Sequence, residues 1–492
     1  MRLRPWSLAL VALPLVALLV MLIRTPSKLA VEGNAAGAHK GDAVSREMAG
    51  AAERLAGAIR FVTIAKSEAD DEAVGTDAFG AFQQYLRRCF PAAFAALEPI
   101  ETGTRSMLFR WPGIDQAAQP RLLMAHQDVV SAQGGPAESW THPPFSGTIA
   151  DGFIWGRGTL DDKAALLAIL EAADDFARRG QRPARTLFLF FGHDEETGGH
   201  DGAARVSEQL KAQGVRFEFV LDEGTAVIRK PFPGAHSDLL MIGVAQKGYA
   251  TLRLTAVARG GHASMPPKEL AVNILSTALE RLFAEPFPAD TRFAAPMLNA
   301  FAPELGFGQR FAIGNLGLFE PFVIRTMSNR PAQNALLRTT LAPTMLAGSD
   351  KENVLPRTAT VTVNARIFPG SSIADVVSEA ARRISDARVT IELSPFQSEP
   401  SRVSSTQSPG FSALTESASK AMGNIPTRIV PGLIVAATDA RYFAPLAADV
   451  YGLNLCRLSQ DDLPSIHGID EKLSITEYSR MIEFYKHLIA TP

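Results

Sequence analysis

The chain has 492 residues, more than one typical core accommodates, so two domains are expected. Hydrophobic residues make up 46% and charged residues 20%, a balance that excludes a disordered chain and suits a globular protein with a large core. A formal net charge of −2 without a basic, aromatic-interleaved patch argues against nucleic acid as a partner, and Cys89 and Cys456 alone form neither a disulfide framework nor a CxxC metal site.

The first element is apolar. "MRLRPWSLALVALPLVALLVMLIRTPSK" sets Arg2 and Arg4 before an uncharged run from Pro5 to Ile23. A run of about 20 residues can span a bilayer as a helix. Residues 1–29 therefore read as an N-terminal membrane anchor with the rest of the protein exported. The alternative is a secretory signal cleaved near "GNAAGA" at 33–38, leaving a secreted or periplasmic protein. Residues 30–45, small and polar, read as a linker.

Between 46 and 243 helical and strand patterns alternate. "REMAGAAERLAGAIRF" and "DDKAALLAILEAADDFARRG" have helical periodicity, the second closed by Arg178, Arg179 and Gly180. "RLLMAHQDVV", "TLFLFFGHDEE" and "FEFVLDEG" are short, continuous apolar runs, as expected of a mostly parallel sheet covered on both faces. Their polar residues sit at the C-terminal ends, where open α/β sheets place ligands. From 244 to 396 the pattern changes. "YATLRLTAVARGG" and "TATVTVNARIFPG" alternate like half-exposed strands and flank a helical "LAVNILSTALERLF" and a Phe/Pro-rich segment over 285–345. This is an inserted α+β domain. Residues 397–492 return to the α/β pattern and complete the domain begun at 46–243.

One stretch poses a question of charge. "LFLFFGHDEETGG" ends a buried run in Asp194, Glu195 and Glu196, where repulsion and desolvation both penalise ionised carboxylates. A cation or a catalytic need must offset that penalty. "MAHQDVV" supplies His126 and Asp128, which share one face of a strand. "GRGTLDDK" supplies Asp161 and Asp162; it also fits a turn into a helix with Asp as N-cap, and the two readings are compatible. "VLDEG" adds Asp222 and "SIHGIDE" adds His467. With no cysteine available, these residues form a nitrogen–oxygen donor set suited to zinc or a similar divalent ion. Two ions sharing one bridging carboxylate would supply the missing positive charge. Each motif alone also fits a structural role; their combination is far more specific.

In that combination the chain resembles the M20 metallopeptidases, the group containing carboxypeptidase S and aminoacylase, from about residue 50 to the C-terminus. "SWTHPPFSGTIADGFIWGRGTLDDK" looks most like the carboxypeptidase S and N-fatty-acyl-amino-acid hydrolase branch. The resemblance implies a di-zinc centre, with Co or Mn as substitutes. His126 and Asp222 would bind one ion, Glu196 and His467 the other, and Asp161 would bridge them. It further implies Glu195 as general base, Asp128 as the group orienting His126, and a cis Asp161–Asp162 peptide. In the insert, "RGGHASMPP" places His262 as a lid histidine for an oxyanion, a group that often reaches into a partner subunit's site. "NVLP" and "VNARIFPG" place Asn353 and Arg366 at a substrate carboxylate, and the lid suits a homodimer. The implied activity is hydrolysis of an amide beside a free carboxylate, in a small peptide or an N-acyl amino acid. A dipeptidase or carboxypeptidase without acyl-amino-acid activity, and a non-catalytic exported binding module, are the alternatives.

Overall fold

The computed structural model describes residues 21, 24–26, 46–65, 77–132 and 139–492. The linker expected over 30–45 lies outside them, as does most of the apolar helix expected over 1–29. Among the described residues no helix is long and apolar enough to cross a membrane.

The chain forms two compact units. The larger contains the described residues from 46 to 244, then Ser404–Pro431 and Thr438–Pro492. Its centre is an eight-stranded sheet built from β1 (Glu98–Ile100), β2 (Met107–Trp111), β3 (Arg121–His126), β4 (Leu187–Gly192), β5 (Phe217–Ile228), β6 (Asp238–Gln246), β7 (Thr427–Ile434) and β8 (Ala447–Leu458). The spatial order is β1-β2-β4-β3-β5-β8-β6-β7. The middle pairs β4–β3, β3–β5 and β5–β8 are parallel. Outside them β1–β2, β2–β4 and β8–β6 are antiparallel, so the sheet is mixed with a parallel centre. Every residue of β3 and β4 is buried, which accounts for their unbroken apolar sequences. The helix Lys163–Arg178, buried from Lys163 to Asp175, packs against both β3 and the C-terminal helix Ile475–Ala490. A helix this enclosed needs the small and apolar residues all round that "AALLAILEAA" provides.

The smaller unit comprises Ala245–Val403 and Gly432–Ala437, together with the described residues near the N-terminus. Its antiparallel sheet runs in the order Thr340–Ala347, Thr358–Ile367, Gly248–Val257, Val389–Leu393. Alternation along Thr358–Ile367 buries Ala359, Val361, Val363, Ala365 and Ile367 against the helices Ala271–Phe283 and Ile373–Ile384. The Phe/Pro-rich segment is mostly helical, over Ala295–Phe301, Phe307–Gly314, Leu316–Ser328 and Pro331–Ala335. Proline content does not argue against this. Pro296 and Pro331 sit in first turns, where the missing N–H has no intrahelical acceptor anyway, and only Pro321 lies inside one of these helices, Leu316–Ser328.

Candidate metal centre

The acidic and histidine residues gather in the larger unit, at the C-terminal ends of the parallel strands. His126 closes β3, Glu195 and Glu196 follow β4 in a short 3₁₀ turn, and Asp222 and Glu223 lie within β5. Asp161 sits in the loop before Lys163–Arg178, joined to Asp162 by a cis peptide, and His467 lies between β8 and the last helix.

Hydrogen bonding sets the state of His126. Its Nδ1 lies 2.9 Å from the Asp128 carbonyl, an obligate acceptor, so Nδ1 donates and the neutral ring presents a lone pair at Nε2. Nε2 faces Asp161 Oδ1 at 2.9 Å. His467 Nε2 faces Asp161 Oδ2 at 2.9 Å and Glu196 Oε1 at 3.2 Å. One carboxylate with an imidazole nitrogen on each oxygen is the geometry of a bridging ligand. Asp128 also accepts the Glu196 N–H at Oδ2, 3.0 Å, tying the turn after β4 to β3.

The donors of His126, Asp161 and Glu196 lie within 4.8 Å of one another, as do those of His126, Glu195 and Glu223. Burial, reinforced by Asp439, Glu196 and Asp128, pushes the Glu195 carboxyl well above the usual range. Burial, with Asp161 and Glu195, does the same to Glu223. Burial opposes charge on His126, but its bonds to Asp128 and Asp161 outweigh that and raise it well above an ordinary imidazole. Asp161 and Glu196 push His467 up to about 10. Protons on these rings thus stand where cations would, between groups that otherwise meet lone pair to lone pair. Glu196 Oε1, buried, meets no donor besides the His467 Nε2 it faces. The residues fit a pair of divalent ions.

Asp222 is anchored through one of its oxygens. Its Oδ2 accepts the Thr438 hydroxyl at 2.7 Å and the Ala440 N–H at 2.8 Å. The neighbouring Glu223 instead approaches His126, Oε1 standing 3.8 Å from Nε2. The strand pairing slips between Asp222 and Thr225, so the pair does not follow simple alternation. "VLDEG" held both acids, but sequence alone did not separate them. Asp162 occupies the N-cap position yet makes no side-chain cap bond, so it is not the ordinary cap that "GRGTLDDK" also suggested.

Two further features went unread. Asp439 is buried with both carboxylate oxygens unpartnered, in space that Gly199 leaves open; a side chain on Gly199 would collide with it. The second is Glu471, fully buried, whose Oε1 accepts the N–H groups of Gly158 (3.0 Å), Leu160 (2.7 Å) and Asp161 (3.3 Å). Its Oε2 pairs with Arg157 at 2.6 Å, and Arg157 donates onward to the Gly468 carbonyl at 2.9 Å. One ion pair therefore fastens the loop carrying Asp161 to the loop carrying His467.

His262, Asn353 and Arg366 belong to the smaller unit. His262 is exposed on a short strand paired to Val354–Leu355, beside Asn353, whose carbonyl accepts the Ala263 N–H at 3.0 Å. The Ser264 N–H donates to His262 Nδ1 at 3.1 Å, which leaves the neutral ring its proton on Nε2. Arg366 lies on the sheet face opposite the core, its guanidinium 4.8 Å from the Tyr249 ring centroid.

A mixed α/β sheet with an imidazole–carboxylate cluster at its parallel strand ends is an arrangement suited to a hydrolase of the metallopeptidase class. The profile of Peptidase family M20/M25/M40 matches residues 122–491. The probable carboxypeptidase S-like 2 of Dictyostelium discoideum is 37% identical over 441 residues, 89% of this chain and 84% of that protein. The N-fatty-acyl-amino acid synthase/hydrolase PM20D1 of Mus musculus is also 37% identical, over 88% of this chain and 86% of its own. Among solved structures, the M20 family metallo-carboxypeptidase Sso-CP2 from Sulfolobus solfataricus shares the fold with a TM-score of 0.65 at 16% identity, covering 90% of this chain and 98% of that one. The chain belongs to the M20 peptidase family.

Proposed function

We propose that this enzyme hydrolyses an amide bond adjacent to a free carboxylate, in an N-acyl amino acid or at a peptide C-terminus, with two zinc ions held by the cluster. The observation that carries the metal reading is the pair of imidazole Nε2 atoms, each 2.9 Å from a different oxygen of Asp161. His126, Asp161, Glu196 and His467 hold the ions, and the remaining carboxylate comes from the Asp222–Glu223 pair. Resemblance favours Asp222, orientation favours Glu223, and loss of one metal equivalent from Asp222→Asn or from Glu223→Gln separates them. Zinc held there would supply Lewis acidity and lower the pKa of water to about 7.

The protein's own groups do the rest. Glu195 takes the proton from water and returns it to the leaving amine, a role its raised carboxyl suits. Asp128 keeps His126 in the tautomer that presents Nε2. His262 donates from Nε2 to the developing oxyanion. Asn353 and Arg366 receive the substrate carboxylate, for which a planar guanidinium is the natural partner. The edge strand Thr340–Ala347 exposes Met345 (69%) and Leu346 (74%), a surface suited to pairing with a second copy. The Pro5–Ile23 run serves as a retained anchor that keeps the catalytic unit outside the cytoplasm.

Similarity to an N-fatty-acyl-amino acid synthase/hydrolase supports acyl amino acids as substrates, and equal similarity to a carboxypeptidase S-like protein supports peptide C-termini. Assaying the purified protein against paired panels of N-acyl amino acids and dipeptides, with and without chelator, separates the two. Faster dipeptide cleavage would favour peptide C-termini, and chelator-insensitive turnover would remove the metal reading.

A further inference from the structure

The apolar N-terminal run and the helical part of the smaller unit meet at a defined point. The Met21 carbonyl accepts the Asn315 Nδ2–H at 3.0 Å, and a side chain on Gly314 would collide with the Arg24 carbonyl. Asn315 separates the helices Phe307–Gly314 and Leu316–Ser328. Their inner sides are packed: Ile313 is buried, and Val323 and Met327 form a small core with Ala294 and Leu337. Their outer sides are also apolar. Phe307 (58%), Leu318 (60%) and Phe322 (65%) are exposed, Leu318 and Phe322 one turn apart, with Arg325 and Arg330 exposed beyond them.

We propose that this helix pair is a membrane-contact face, lying in the bilayer interface beside the N-terminal span, with Phe307, Leu318 and Phe322 as its apolar anchors. The inference rests on the reading of Pro5–Ile23 as a retained anchor. A run that crosses the hydrocarbon and ends at Ile23 puts Met21 at the headgroup boundary, and Asn315, one hydrogen bond away, is brought there with it. The helix Leu316–Ser328 is about 20 Å long, too short to span and long enough to lie flat. Interfacial helices bury their apolar side roughly 5–10 Å into the headgroup–acyl boundary and direct basic residues to anionic lipid, the arrangement Phe322 and Arg325 offer. Such a face would hold the enzyme where amphiphilic acyl amino acids concentrate.

The test uses the full chain in phosphatidylcholine–phosphatidylglycerol vesicles, with Cys89→Ser to remove the accessible native thiol. An environment-sensitive fluorophore is attached at Leu318→Cys, at Phe322→Cys or, to follow the span itself, at Leu13→Cys. All three labels should shift to the blue and lose intensity to lipid-borne quenchers. Quenching at position 13 but not at 318 or 322 overturns the contact face and leaves the anchor standing. No quenching at any position overturns both. Leu318→Asp with Phe322→Asp should abolish quenching of a Phe307→Cys label while the position-13 label stays quenched and the melting temperature is unchanged. Retained quenching at 307 overturns the role of the two side chains.

Discussion

Removing the Glu471 carboxylate tests how the metal centre is held. In Glu471→Ala, Arg157, 1% exposed, loses its ion partner, and the amides of Gly158, Leu160 and Asp161 lose their acceptor. Breaking one side of a buried ion pair costs about 3–5 kcal/mol, and each buried amide left unpaired costs about 1–3 kcal/mol more unless water enters. A net loss on the order of 5 kcal/mol is expected, a large part of the ~5–15 kcal/mol that holds a domain together. At about 2–4 °C per kcal/mol, the melting temperature should fall by roughly 10–20 °C. Because the same carboxylate links the Asp161 and His467 loops, zinc affinity of the folded protein should also fall, by about 10–100-fold as for outer partners of metal ligands. Chelator-treated and zinc-loaded melts give the first quantity; competition with a chromophoric chelator below the transition gives the second. Glu471→Gln, which keeps an acceptor oxygen, should recover part of both losses. Arg157→Leu with Glu471→Leu should not recover stability, because three amides still lack an acceptor. A destabilised variant with unchanged zinc affinity would reduce Glu471 to a scaffold residue. Unchanged melting would refute the energetic argument altogether.

Three further outcomes are expected. His262→Ala should lower kcat by about 10²–10³-fold with metal content and melting unchanged, since the ring is exposed and Ser264 holds only Nδ1; steady-state kinetics and metal analysis check this. Zinc should raise the melting temperature in a concentration-dependent way, by the equivalent of about 2.7 kcal/mol at a hundred times Kd, and an unshifted melt would contradict binding to the native state alone. Lys247, 1% exposed and donating to the Arg338 carbonyl at 2.6 Å, is lowered by burial to about 8 from 10.5. Between those values the unfolded chain binds more protons, so stability rises with pH through the window and is lost as pH falls through 8. Relative to Lys247→Met, the native protein should gain about 3 kcal/mol from pH 8 to above 10.5, read from denaturant unfolding in each buffer.

The sequence by itself determined the periodic and the local. Continuous apolar runs showed β3, β4 and β5 because strands buried on both faces leave no room for polar residues, and the histidines and acids at their ends marked the site. It could not show the antiparallel flanks of the sheet, since which edge a strand joins depends on contacts made long after it in the chain. Nor did it find the helices over 295–335, where prolines in first turns, and Pro321 inside a helix, look like breaks. Only the tertiary structure brought Glu223 Oε1 to 3.8 Å from His126 Nε2, because an irregularity in strand pairing is not written in the apolar pattern. Only it joined Arg157 to Glu471 across most of the chain. A buried ion pair leaves no periodic trace in sequence; its two halves are ordinary charged residues until folding removes the water between them.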